Sequence, residues 1–163
     1  MSNDTPVPEI FVDADACPVR EETYRVATRL GLKVYLVANG SRPIRPPGLP
    51  NVSMIIVSDG ADAADDWIAD HITPLDICLT NDIPLASRCL AKNAAAIAFT
   101  GKLWTEANIG NALAGREISR HLRELGMEMG SGKTFTKADR SKFLSALDTV
   151  AMTRLRASKN SSL

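Results

Sequence analysis

The sequence predicts an α/β fold: a mostly parallel sheet of five strands flanked by helices, with a helical extension at the C-terminal end. Three observations predict it. Short apolar runs rich in Val and Ile alternate with longer stretches of helical period. Those runs lack the in-and-out alternation of a half-exposed sheet, the pattern of strands covered on both faces. The chain has 163 residues, 45% of them hydrophobic, enough for one domain with its own core. No internal repeat or second composition regime is visible. Residues 9–150 therefore form one predicted domain, with flexible termini at 1–8 and 157–163.

Each element has a local reason. Residues 10–13 (IFVD) read as the first strand. A helix is expected over 18–30: Pro18 suits a first turn, Glu21 and Glu22 suit the positive end of the helix dipole, and Gly31 suits the stop. This start makes Cys17 the expected N-cap. Residues 33–38 (KVYLVA) are the second strand, and the proline-rich stretch 39–50 is a connection poor in backbone donors. Residues 52–57 are the third strand, 61–72 a helix, 76–80 the fourth strand, 84–92 a helix and 95–99 the fifth strand. Two helices follow, over 108–125 and 137–156, before a polar tail.

Composition narrows the function. No apolar run approaches the ~18 residues of a membrane span, and the N-terminus lacks a basic segment followed by an apolar one. A cytoplasmic protein with no membrane partner is the expectation. Three cysteines (Cys17, Cys78, Cys89) without CxxC spacing and only two histidines (His71, His121) argue against a zinc site. Cys78, inside an apolar run, is expected to be a buried thiol. Net charge is zero but lopsided. Residues 1–100 carry 8 Lys/Arg against 13 Asp/Glu, and residues 101–163 carry 11 against 6. Between 46 and 87 there are seven aspartates and no Lys or Arg. Such acids repel one another unless solvent or a cation intervenes, and the basic end suits a polyanion.

In doubly covered sheets ligands sit beyond the carboxyl ends of the strands. That rule locates Asp13 and Asp15 after the first strand, and Thr80, Asn81 and Asp82 after the fourth. Three readings of the DADAC stretch compete. Capping explains the acid pair poorly, because Pro18 puts the cap at Cys17. A nucleophilic Cys17 lacks a base, since both histidines lie in predicted helices away from the strand ends. A metal site uses several residues at once. At about 100° per residue, Asp62, Asp65 and Asp66 share one helix face, with Trp67, Ile68 and His71 turned toward the sheet. With Asp13, Asp15 and Asp82 they make an all-oxygen set suited to Mg²⁺ or Mn²⁺. Asp82, before Ile83-Pro84, is equally well placed to cap a helix. The GSGKT of residues 130–134 resembles a phosphate-binding loop, but Met127 stands where its first glycine belongs and a helix precedes it.

The segments FVDADACPV, VANG, SDGADAADDWI, LTNDIPLA and GSGKTFTKADRSKFLSAL, in this order, resemble the YaiI/YqxD family of uncharacterised bacterial proteins. The resemblance covers residues 9–150, and departs at GSGKT, where the family reads closer to GPKP. It implies a single PIN-like, Rossmann-like domain whose acids hold a divalent metal for phosphodiester hydrolysis. The matching positions are Asp13, Asp62, Asp66 and Asp82, with Asp15 and Asp65 in support. The expectation is a Mg²⁺- or Mn²⁺-dependent nuclease acting on RNA in preference to DNA. Arg42, Arg45, Lys133, Lys137 and Arg140 are candidates for phosphate contacts, with Asn81 beside them at the strand end. The alternatives are a phosphatase of the haloacid dehalogenase type, whose motif order this chain does not follow, and a non-catalytic nucleic-acid-binding regulatory module.

Overall fold

In the computed structural model, residues 5–40, 44–58, 60, 62–126 and 134–160 are described. The elements run β1 (Ile10–Asp13), α1 (Arg20–Leu30), β2 (Val34–Ala38), β3 (Val52–Ile56), α2 (Ala63–His71), β4 (Ile77–Leu79), α3 (Ile83–Ala91), β5 (Ala95–Ile97), β6 (Leu103–Trp104), α4 (Glu106–Glu124) and α5 (Lys137–Asn160). The strands form a single sheet in the order β3-β2-β1-β4-β5-β6. All pairs are parallel except β5 with β6. This is a doubly wound, Rossmann-like order, and its connectivity reverses direction between β1 and β4.

Alternation along the strands divides the core into two layers. Ile10, Val12, Leu36, Ile77 and Leu79 pack on one face with Val26 and Ala27 of α1 and Phe143, Leu147 and Ala151 of α5. Phe11, Val37, Cys78 and Ala96 pack on the other face with Ile68 of α2, Leu85 and Cys89 of α3, and Ile109 of α4. Asp13, two residues beyond Phe11, therefore belongs to the α2/α3 side of the sheet. Thr80, two beyond Cys78, belongs to the same side.

Several sequence expectations shift. The sheet has six strands rather than five, because a two-residue antiparallel strand is too short to leave a periodic signal. Cys17 is not a helix cap. Ala14, Asp15, Ala16 and Cys17 make a turn, with Ala16 at φ 64° and the Cys17 N–H donating to Ala14 O at 3.2 Å. The helix then starts at Arg20 with Val19 at its cap and no capping side chain. His71 does not face the sheet; it is exposed and stacks on Trp67, 3.9 Å between ring centroids. The C-terminal helix continues through Asn160 rather than fraying at 157, and Ser158 is only 4% exposed. Cys78 is fully buried, as expected, and all three cysteines are free thiols. No described helix is long and apolar enough to cross a membrane.

Candidate functional site: acids at the carboxyl edge of β1 and β4

The β1–β4 reversal is where a crevice opens in such a sheet, and it is where the acids meet. Asp13 closes β1. Its Oδ2 accepts a hydrogen bond from the Thr80 hydroxyl at 2.8 Å. The direction of that bond is fixed by the next one. The Asp82 backbone N–H donates to Thr80 Oγ1 at 2.9 Å, so the single hydroxyl proton is left for Asp13. Thr80 is fully buried, and the Trp104 indole N–H of β6 donates to its carbonyl at 3.2 Å. The small strand that the sequence hid thus braces the residue that holds Asp13.

Asp82 caps α3: its Oδ1 accepts from the Leu85 N–H at 2.9 Å, with Pro84 in the first turn. That uses one of its two carboxylate oxygens. Asp15 Oδ2 accepts from the Asn39 N–H at 3.1 Å. Its Oδ1 is buried and has no hydrogen-bond partner, a costly state for a carboxylate oxygen without compensation.

The electrostatics identify which acids share the crevice. Burial, followed by the negative charges of Asp82, Asp13 and Asp62, pushes the Asp65 carboxyl up to about 7. Burial pushes Asp13 up to about 6; the Thr80 bond opposes this, while the charges of Asp82 and Asp15 add to it. The charges of Asp82 and Asp13 thus both bear on Asp65, and those of Asp82 and Asp15 on Asp13. Asp62 stands at the N-cap of α2 without making a capping bond through its side chain. Asp66 behaves differently from the expectation. Its exposed carboxylate pairs with the Arg88 guanidinium of α3 at 2.8 Å. The helix starts at Ala63, and Asp65, expected only in support, is the one that couples into the crevice.

The donor set suits a hard divalent cation in chemistry: all-oxygen, rich in negative charge, and with one orphaned buried oxygen. Among the described residues, no three His, Cys, Asp or Glu side chains stand at the spacing of a formed coordination sphere.

The expected substrate-contact residues are dispersed. Arg42 and Lys133 lie outside the described residues, as does most of the GSGKT stretch. Arg45 is exposed and lines a separate cavity with Cys17, Arg20 and Tyr24. Lys137 is the exposed first residue of α5. Arg140 fastens α5 to the start of α1. It donates to Pro18 O at 2.6 Å, lies 3.4 Å from Glu22 Oε1 and covers the Phe135 ring at 5.0 Å. Asn81 Oδ1 accepts from the Phe99 N–H at 2.8 Å, tying the ends of β4 and β5 together. Cys17 is 6% exposed, and burial pushes its thiol up to about 12, which removes it as a thiolate nucleophile. Thr80 is the residue whose role the sequence does not convey. Its only signal is a hydroxyl following an apolar strand.

Residues 11–153 match the family described as "Uncharacterized BCR, YaiI/YqxD family". The chain belongs to the YaiI/YqxD family. It is 53% identical over 142 residues to a UPF0178 protein of Paramagnetospirillum magneticum, covering 87% of this chain and 93% of that one. A UPF0178 protein of Parvibaculum lavamentivorans is 51% identical over 149 residues, 91% of this chain and 97% of its own. One of Rhodospirillum rubrum is 53% identical over 140 residues, 86% and 93% of the two chains. No solved structure matches the chain. Family membership thus agrees with the resemblance carried by the motifs, and brings no activity with it.

Proposed function

We propose that this YaiI/YqxD protein is a divalent-metal-dependent nuclease of PIN-like type that hydrolyses phosphodiester bonds in RNA. The observation that carries the reading is the gathering of acids at the β1–β4 reversal, where Asp82 bears on both Asp13 and Asp65 and the buried Asp15 Oδ1 has no hydrogen-bond partner. The Asp13 and Asp65 carboxyls are raised by burial first and by neighbouring acids second, an environment that a cation would relieve. Asp13, Asp65 and Asp82 would hold Mg²⁺ or Mn²⁺, with Asp15 and Asp62 adjoining. Such an ion, when bound, supplies Lewis-acid activation of water and neutralises charge on phosphoryl oxygens.

The chain's own contributions follow from its bonds. Thr80 fixes the Asp13 carboxylate by its 2.8 Å hydrogen bond, which leaves Asp13 Oδ1 for the crevice. Asp82 keeps one oxygen available while the other caps α3. Asp66, neutralised by Arg88, is left out of the ligand set.

The test is cleavage of a labelled single-stranded RNA with Mn²⁺ or Mg²⁺ and with chelator. The wild type is expected to cut only with metal. Asp13→Asn keeps the shape and removes a charge, and its rate should fall on the order of a hundredfold, as when a charge-stabilising group is lost. Cys17→Ser should cut at close to the wild-type rate. Metal-dependent cleavage that survives Asp13→Asn would overturn the reading. RNA binding without cleavage at any metal concentration would favour the regulatory module, and trapping by an aspartyl-phosphate mimic would favour the phosphatase.

A further inference from the structure

A cavity of about 920 Å³ lies beside the acid cluster rather than in it. It opens between the β5–β6 turn and α5, on the opposite side of the sheet edge. Two of its lining residues are sequence neighbours of the acids: Ala16 follows Asp15, and Asn81 precedes Asp82. The remaining lining is mostly apolar and hydroxyl-bearing, and it includes two aromatic rings, the buried Phe99 and the partly exposed Phe135, and two exposed cations, Lys102 and Lys142. Its acid, Asp139, is engaged at the start of α5, where Oδ2 accepts from the Thr136 N–H at 3.0 Å.

This wall is built rather than incidental. Gly101, at φ 90°, lies so close to α5 that a Cβ there would sit 2.6 Å from the Lys142 carbonyl carbon and 2.8 Å from the Phe143 nitrogen. Only glycine lets the turn approach this closely while projecting Lys102 and Lys142 from the two sides of the contact. Lys102 is further held with its ammonium 4.9 Å from the centre of the Trp104 ring.

We propose that this cavity is a nucleotide subsite for single-stranded nucleic acid, seating one unpaired base beside the Phe135 ring, one face of which carries the Arg140 guanidinium, while Lys102 and Lys142 meet the adjoining phosphates. An aromatic ring beside cations is what such recognition uses: any base has a face to stack, and the backbone supplies the charge. A cavity of this volume exceeds a nucleobase and suits a nucleoside with part of its backbone. The strand then passes over Ala16 and Asn81 to bring its next phosphodiester to the acids. The subsite deepens the nuclease reading and rests on it for that last step, but binding at the cavity is measurable without it.

The experiment is therefore done in chelator, so that no cleavage occurs and the acids hold no metal. A fluorescent single-stranded RNA of about six nucleotides, a DNA of the same sequence and the RNA duplex are titrated against the full chain. Single strands should bind more tightly than the duplex, whose bases are not free to enter; the RNA and DNA arms report whether the ribose hydroxyl matters. Ser145→Trp, an exposed helix position on the cavity wall, should fill the space and weaken single-strand binding by about tenfold or more. Lys102→Ala and Lys142→Ala, also exposed, should each weaken it several-fold and lower the salt dependence by about 0.7 of a charge. Melting curves establish that each variant is folded, and the lysine variants stand in if Ser145→Trp is not. Single-strand binding that is unchanged in the filled variant and in both lysine variants overturns the proposal. So does an absence of any binding by the wild type. The nuclease reading, tested by metal and Asp13→Asn, would survive either result.

Discussion

Asp76 and Asp13 sit at opposite edges of the same sheet and are treated in opposite ways. Asp76, at the amino edge before β4, is 3% exposed. Its carboxylate accepts from the Glu9 N–H at 2.9 Å, the Thr73 N–H at 2.9 Å and the Thr73 hydroxyl at 2.8 Å. Arg154 adds positive charge nearby while donating to the carbonyls of Pro74 and Asn93. Asp13, at the carboxyl edge, has one donor in Thr80 and other acids for company. Asp76 is the more deeply buried of the two, so burial is not what leaves a carboxylate short of donors. What separates them is whether the fold supplies donors to the buried charge. At one edge the carboxylate is a fastening; at the other it has a single donor and other acids beside it.

The largest stability effect should come from breaking the fastening. Asp76→Ala strands the Glu9 and Thr73 amide donors in a buried site, which should cost about 3 kcal/mol. Asp13→Asn removes a repulsive charge and keeps an acceptor for Thr80, so it should be neutral or stabilising in the absence of metal. Urea unfolding of both variants in chelator measures the difference. An equal loss from each would mean the two edges are not built on different principles.

Divalent metal should come next. If the carboxyl-edge acids are a ligand set, Mn²⁺ at a hundredfold excess over its dissociation constant should stabilise the fold by about 2.7 kcal/mol. Melting midpoints that do not move over a wide metal range would rule a metal out of the acid crevice.

How much of this contrast is legible in the sequence depends on how local its causes are. Ile10–Asp13 and the positions of Asp13 and Asp82 can be read because strand runs end there and a parallel sheet gathers its strand ends. β6 cannot, since Leu103 and Trp104 are a strand only because Ala96 and Ile97 lie beside them. The start of α1 falls later than expected because Pro18 suits a helix start as well as the turn that precedes this one. The choice between Asp65 and Asp66 is not legible at all. It depends on how α2 docks and on Arg88, 22 residues away in the next helix.

A smaller effect separates the edges by pH. Asp13 is raised to about 6 and Asp65 to about 7, from an unfolded value of 3.8. Between those values the native state binds more protons than the unfolded one, so stability falls as pH rises. In chelator, the protein should therefore be more stable near pH 4 than near pH 7 as far as these two groups decide it. Each contributes on the order of 1 kcal/mol once solvent screening is allowed for. The loss should be complete only above about pH 8, past the raised Asp65 value of about 7, and it should shrink in Asp65→Asn. Saturating Mn²⁺ should reverse the slope, because the metal competes with the same protons. A chelator-treated protein whose stability rises through this window in the wild type, and rises equally in Asp65→Asn, would contradict the raised carboxyls.

The smallest effect is the most discriminating, because it compares neighbours. Asp65 and Asp66 differ by one position on α2, yet one couples to Asp82 and Asp13 and the other pairs with Arg88 at the surface. An exposed ion pair of this kind contributes less than about 1 kcal/mol. Asp66→Asn should therefore lower stability by only a few tenths of a kcal/mol, and Arg88→Ala by a similar amount. Neither should much alter Mn²⁺ affinity measured by calorimetry. Asp65→Asn should stabilise the metal-free fold slightly and weaken Mn²⁺ by about tenfold or more, because it removes a ligand and a charge together. The reverse ranking, with Asp66→Asn losing the metal and Asp65→Asn keeping it, would require α2 to turn by roughly 100° when metal binds. The Trp67 ring, 6.0 Å from both Phe11 and Tyr35, opposes that rotation. The packing under α2, more than the number of aspartates along it, therefore decides which carboxylate lies toward Asp13 and Asp82.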